Sequence, residues 1–292
     1  MILRLLASIY TAGETFDEAK IKISGLLNRG FSITSDILGE FADDPDKIES
    51  AVSEYKEHIK ILGDWRNYKK GAFSIAIKPS RIGFEIGQQM FGENLEEILV
   101  CAKKFNIFVW VDAEKRSDRD AVLDAVLKLH GEEYANIGLA LQSAHSDASK
   151  FLGKLLEAGT PVRLVKGAYN DGDLKSKREI DKNFEELFLD AAYNHRRRKS
   201  RTLIAIGTHD SELIDLALDF EYNFDTPIQI QMLYGIRTKL QQKLIAEGRN
   251  VLIYVPWGPD AAGFLKRRLC EGIRPGAIWL FLRNIAEARR NQ

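Results

Sequence analysis

Eight short, β-rich runs punctuate the chain: GFSITSDIL, GAFSIAIKP, NIFVWVDAE, NIGLALQS, PVRLVKGAY, TLIAIGTHD, PIQIQMLYG and NVLIYVPWG. Between them lie charge-studded segments such as NLEEILVCAKKF (Asn94–Phe105), whose apolar residues recur at helical spacing. Strands that alternate with helices, with no Pro/Gly-rich linker, predict parallel βαβ units. Eight such units predict an α/β fold, a closed (β/α)8 TIM-like barrel. The expected organisation is a single domain over residues 1–292 with a short helical segment at about 1–29. An open doubly wound sheet is the alternative, but the glycine fingerprint that follows its first strand is missing.

In a barrel of this kind the C-terminal ends of the strands converge on one mouth, where catalysis occurs. Those ends carry Asp36, Lys78, Asp112, Glu114, Gln142, Arg163, Lys166, Thr208, His209, Gln231 and Tyr254. Any one of them reads equally well as a satisfied polar residue closing a strand. All eight strands ending in hydrogen-bonding side chains mark the mouth as a site. Lys78, Arg163 and Lys166, with Arg267 and Arg268 from the C-terminal segment, outnumber Asp112 and Glu114, and such an excess suits an anionic ligand.

Composition narrows the classes. Forty-two Lys+Arg balance forty-two Asp+Glu, so bulk charge draws the chain neither to nucleic acid nor to an anionic membrane. The basic run HRRRKSR (His195–Arg201) reads as a solvated helix end ahead of a strand. Cys101 and Cys270 make no disulfide framework, and no Cys/His spacing suggests a metal site. The opening MILRLLASIY is too short to span a bilayer and no small-residue cleavage site follows, so a cytoplasmic location is expected. No Ser-His-Asp or Cys-His order is evident. His209 is the best placed of five histidines, with His58, His130, His145 and His195 reading as structural or solvated.

The stretch VPWGPDAAGFLKRRLCEG combines Gly258, Pro259 and Asp260, which suit the start of a helix, with two adjacent arginines. Arg267 and Arg268 point about 100° apart on a helix, and Glu271 is within reach of either. A surface ion pair worth roughly 0–1 kcal/mol is one reading. The other lays this helix across the mouth with both guanidinium groups turned inward to hold a carboxylate.

RLVKGAY (Arg163–Tyr169), GTHD (Gly207–Asp210), QMLYG (Gln231–Gly235), YVPWG (Tyr254–Gly258) and RRLCE (Arg267–Glu271), in this order, resemble the motifs of proline dehydrogenase, the flavin enzyme of proline catabolism. SDILGE, IKPS and VDAE extend the resemblance back to about residue 30. The resemblance implies a modified barrel whose last helix lies over the mouth. It implies oxidation of L-proline to 1-pyrroline-5-carboxylate by hydride transfer to FAD, with FMN the lesser option, and a quinone-type electron acceptor with at most peripheral membrane contact. By the same resemblance Lys78, Arg267 and Arg268 bind the proline carboxylate, and Tyr169, Leu233 and Tyr254 wall the ring pocket. Asp112 sits near the substrate and organises Lys78, while Arg163 approaches the reactive edge of the flavin. Ala113, Gln142, Lys166, Gly167, Ala168, Thr208, His209 and Gln231 contact the cofactor, and Glu271 supports the arginine pair. Gly207 and Asp210 stand where the family often has Ala and Asn, Asn170 where an aromatic is frequent, and Phe264 where many members have tyrosine. A Schiff-base aldolase using Lys166 and a non-catalytic flavin or amino-acid sensor are the competing readings.

Overall fold

The computed structural model describes residues 9–39, 42–65, 71–167, 171–198 and 202–259. After helix α1 (Phe16–Asn28), strands and helices alternate: β1 (Ser32–Ile37), α2 (Pro45–Gly63), β2 (Phe73–Ile77), α3 (Gln88–Phe105), β3 (Phe108–Val111), α4 (Arg119–Gly131), β4 (Ile137–Gln142), α5 (Ala148–Ala158), β5 (Val162–Val165), α6 (Lys177–Arg198), β6 (Ile204–Gly207), α7 (Ser211–Phe224), β7 (Ile228–Leu233), α8 (Thr238–Ala246) and β8 (Val251–Trp257). Each strand pairs in parallel with the next, and β8 returns to β1 through Ser32↔Leu252 to Ile37↔Trp257, closing the barrel. All eight runs read as strands in the sequence are strands, and the closed barrel replaces the open-sheet alternative. The segment that would lie over the mouth, and with it Arg267, Arg268 and Glu271, lies outside the described residues.

The local signals are ordinary ones. Thr15 caps α1 by accepting from the Glu18 N–H, and Asp44 caps α2 by accepting from the Asp46 N–H, with Pro45 in the first turn. Helix α3 turns Phe91, Leu95, Ile98, Leu99 and Ala102 inward and ends at Asn106, whose φ of 57° stops the helix in the left-handed region.

Strand alternation divides the core into two layers. Ile33, Ile75, Val109, Leu139, Leu164, Ile206, Ile230 and Ile253 face outward and pack under the helices in one continuous apolar shell. The intervening positions fill the barrel. Thr34 Oγ1 and Ser74 Oγ lie 2.7 Å apart near its base, and above them the buried Trp110 stands beside its register partners Ala76 on β2 and Gly138 on β4. Gly138, the β4 partner of Trp110, makes room for the indole, since a Cβ there would stand 2.7 Å from the ring and 2.9 Å from the Pro161 carbonyl. Small residues around one large ring leave the upper interior to polar side chains.

Candidate active site

Arg163, on the inward face of β5, is the centre of the mouth. Its guanidinium donates to Asp112 Oδ1 beyond β3 and to Gln231 Oε1 on β7 at 3.3 Å. It also lies over the Trp110 ring at 5.1 Å and the Tyr254 ring at 5.6 Å. Tyr254 on β8 donates its hydroxyl to Asp112 Oδ2 at 2.7 Å, so both oxygens of Asp112 are engaged. Burial first, then the adjacent Asp112 carboxylate, raises the Tyr254 phenol well above its ordinary range and keeps it a donor. Four strands thus fix one planar cation between two aromatic faces.

Lys78, just past β2, donates to Asp36 Oδ1 on β1, and the two side chains are 6% and 0% exposed. Burial opposes the ammonium charge, but Asp36 and, more distantly, Asp112 override it and raise the lysine above its ordinary value. The expectation that Asp112 organises Lys78 therefore meets a different arrangement. The hydrogen bond to Lys78 comes from Asp36, and Asp112 serves Arg163 and Tyr254.

The expected excess of positive charge also changes. Lys166 is held between Asp181 of α6 at 2.5 Å and Asp210 at 2.8 Å. Among the described residues, Lys78, Arg163 and Lys166 each have a carboxylate partner. Glu114 is turned away to accept from the Ser80 N–H and hydroxyl, both at 2.8 Å, and so braces the turn after β2. Arg267 and Arg268, the other cations expected at the mouth, lie outside the described residues. The aldolase reading is also disfavoured, because Lys166 sits in an ion-pair network and not in the apolar setting that a Schiff-base lysine requires.

The remaining site residues ring the mouth beyond β4, β5, β6 and β7. Gln142 donates to the Ala113 carbonyl at 3.2 Å and pairs with His145 Nε2 at 2.7 Å. Thr208 Oγ1 accepts from the Asp210 N–H, and Asp210 caps α7 by accepting from the Glu212 N–H. Gln231 passes a donor to Gln229 at 2.8 Å. The Leu233 N–H donates to His209 Nε2 at 3.1 Å, leaving the proton of the neutral imidazole on Nδ1. Burial and the neighbouring Arg237 lower the His209 pKa to about 3, so the ring stays neutral. That Nδ1 is enclosed and has no partner among the described residues. Gly167 follows Lys166 with φ of +106°, a conformation that keeps its backbone bare of a side chain. An enclosed donor without an acceptor, a bare backbone turn and a fixed guanidinium fit an electron-rich, phosphate-bearing cofactor such as a flavin nucleotide. Ala168 and Tyr169 lie outside the described residues.

The sequence assigns no role to Trp110 or Asp36. Trp110 stands two residues before Asp112 on an inward position, which is the signal for it, and Asp36 is legible only as a strand end. Of the two readings open for His58, the structural one holds: it is buried and pairs with Ser35 Oγ at 2.8 Å.

The chain is 30% identical over 283 residues to "Proline dehydrogenase" of Deinococcus radiodurans, covering 94% of this chain and 88% of that one. It is 29% identical over 281 residues to "Proline dehydrogenase 2" of Bacillus subtilis, again covering 94% and 88%. In fold it superposes, with a TM-score of 0.84, on a crystal structure of proline utilization A from Bdellovibrio bacteriovorus inactivated by N-propargylglycine. That match has 21% identity and covers 92% of this chain but 33% of the other. A model of the family described as proline dehydrogenase matches residues 19–274. With its barrel closed, its strand ends converging on Arg163 and nearly its whole length matched, the chain belongs to the proline dehydrogenase family of oxidoreductases.

Proposed function

We propose that this chain is an FAD-dependent enzyme that oxidises L-proline to 1-pyrroline-5-carboxylate at the barrel mouth. The observation that carries the reading is the Arg163–Asp112–Tyr254 constellation, assembled with Lys78 at the C-terminal ends of the strands. FAD, when bound, supplies the two-electron acceptor for the hydride removed from the ring carbon beside nitrogen, while the ring nitrogen gives up a proton to form the C=N bond. Arg163, with Gly167, Thr208, His209 and Gln231 beside it, would hold that cofactor. Lys78, with Arg267 and Arg268, meets the substrate carboxylate and fixes the orientation of the ring. Leu233 and Tyr254 exclude water from its apolar edge. Arg163 is a preorganised cation for the negative charge that develops during oxidation, and Trp110 and Tyr254 hold it so that little reorganisation is needed.

In this reading the protein is a cytoplasmic enzyme with a quinone-type electron acceptor and at most peripheral membrane contact. No helix among the described residues is long and apolar enough to cross a membrane. The deciding experiment is anaerobic titration of the purified, FAD-supplied protein with L-proline. The bound flavin should bleach, and 1-pyrroline-5-carboxylate should form in equal amount. Failure to retain flavin, or retained flavin that proline leaves oxidised, overturns the proposal.

A further inference from the structure

We propose that Asp36 is a positioning residue that keeps Lys78 in the site as a fixed, charged anchor for the substrate carboxylate. The inference deepens the proline-oxidation reading and rests on it for the identity of the ligand. Asp36 is fully buried on the inward face of β1, and its Oδ1 accepts from Lys78 Nζ. Its second oxygen, Oδ2, is enclosed and accepts from no donor among the described residues. The remaining charged and titratable groups around the pair are Asp112 from β3, Tyr254 from β8, Tyr55 from α2 and Arg81 from the turn after β2. Three of these have other work, while the buried Tyr55 hydroxyl has no hydrogen-bond partner among the described residues. Asp112 is engaged at both oxygens, Tyr254 serves Asp112, and Arg81 bonds Glu54 and the Ile37 carbonyl while lying over the Tyr55 ring.

A lysine on a flexible four-carbon stem has no preferred direction of its own, and an ammonium withdrawn from water tends to lose its proton. A buried carboxylate one strand away answers both problems. It aims Nζ at the level of the mouth and offsets the loss of hydration. The neighbouring strand supplies it in register, since Asp36 pairs with Ala76 and Lys78 lies two residues further on. Asp36 touches neither substrate nor cofactor in this scheme and acts only through Lys78.

The test uses FAD-loaded protein and cyclopentanecarboxylate, a ring carboxylate without a titrating nitrogen, with binding read from perturbation of the flavin spectrum. In the wild type the Kd should stay level from about pH 6.5 to about pH 9.5, because Lys78 keeps its proton throughout. Asp36→Asn should weaken binding roughly tenfold at neutral pH and add a further loss of up to about a decade per pH unit on the alkaline side, where the freed lysine deprotonates. Asp36→Glu should restore the level profile. The double variant Asp36→Asn/Lys78→Met should bind no worse than Lys78→Met alone. A level profile in Asp36→Asn, or losses that add in the double variant, overturns the inference and assigns Asp36 to structure alone.

A second measurement covers the case in which Asp36→Asn does not fold. In wild-type protein carrying 15N-lysine, the Lys78 resonance, identified by its absence in Lys78→Met, should stay that of an ammonium to about pH 11. Titration at or below the ordinary lysine value overturns the pairing. If the wild type neither binds the carboxylate nor is reduced by proline, the functional reading fails. The 15N titration still decides whether Asp36 controls Lys78.

Discussion

The Arg163 guanidinium is restrained by Asp112, Gln231 and the rings of Trp110 and Tyr254, which leaves it little freedom to reorient. If its task is to meet charge that develops during oxidation, its loss should fall on the chemical step. Removing one preorganised donor from such a site costs about 3–4 kcal/mol, or 10²–10³ in rate. Arg163→Ala should therefore lower the limiting rate of anaerobic flavin reduction by that factor while proline binding changes much less. Stopped-flow traces at saturating proline measure it, and an unchanged rate removes Arg163 from the chemistry. Arg267 and Arg268 carry a separate expectation. In the proposed function this couple shares the substrate carboxylate with Lys78, whose own charge is already partly offset by Asp36. Arg267→Met or Arg268→Met should raise the Kd for proline at least ~30-fold, with flavin content and prolinol binding little changed. Equal losses for proline and prolinol would show that the arginines support the fold and do not hold the carboxylate. The sequence made the members of the site legible because strand ends follow a simple periodicity. It did not disclose the pairings. Asp36 meets Lys78 across 42 residues through the pairing of β1 with β2, and Tyr254 meets Asp112 across 142 because the barrel closes.

Between β5 and β6 a departure from the family acquires a local reason. Gly207 pairs with Val165, and a Cβ at Gly207 would stand 2.7 Å from Val165 Cγ1. The valine fills the volume that an alanine on β6 would occupy. Gly207→Ala should cost roughly 1–3 kcal/mol through overpacking and should weaken flavin retention, because Thr208 and His209 follow directly. Adding Val165→Ala should recover most of both losses. Chemical denaturation together with flavin content checks this, and a double variant no better than the single one refutes the steric account. Asp210 is explained in the same region. Its carboxylate caps α7 and also binds Lys166 and Lys177, which a single amide oxygen would serve less well. Strand and helix identities were readable from periodicity. The interior was not, because Trp110 among small neighbours answers to barrel volume, which no window along the chain records.

The barrel's closing seam contributes to how the whole molecule responds to acid, alongside the buried His209 at the mouth, which is held neutral over the same range. His58 of α2 is packed edge-on to Phe16 of α1 at 4.6 Å and beside Trp257 of β8 at 5.1 Å. Ser35 Oγ accepts from Trp257 Nε1 and lies 2.8 Å from His58 Nε2, so the hydroxyl can give its proton to the imidazole. Burial lowers the His58 pKa from 6.5 to about 3. The folded protein therefore holds this ring neutral at pH values where the unfolded chain protonates it. The unfolded state binds the extra proton, so stability falls as pH drops from about 6.5 towards about 3 and is level above that window. At pH 5 the deficit is about 2 kcal/mol, a large fraction of an ordinary folding free energy. Asp173 and Asp210, both held below their ordinary values, lose stabilisation further down the same acid limb. Lys78 and Lys177 are raised, so their contribution is complete below the ordinary lysine value and does not shape this limb. His58→Gln removes the ionisation. It should be less stable than wild type at pH 7.5 yet lose about 2 kcal/mol less on going to pH 5. Urea unfolding of both proteins at the two pH values gives the comparison. Equal losses in the two would mean that the seam is not an acid-sensitive part of the barrel.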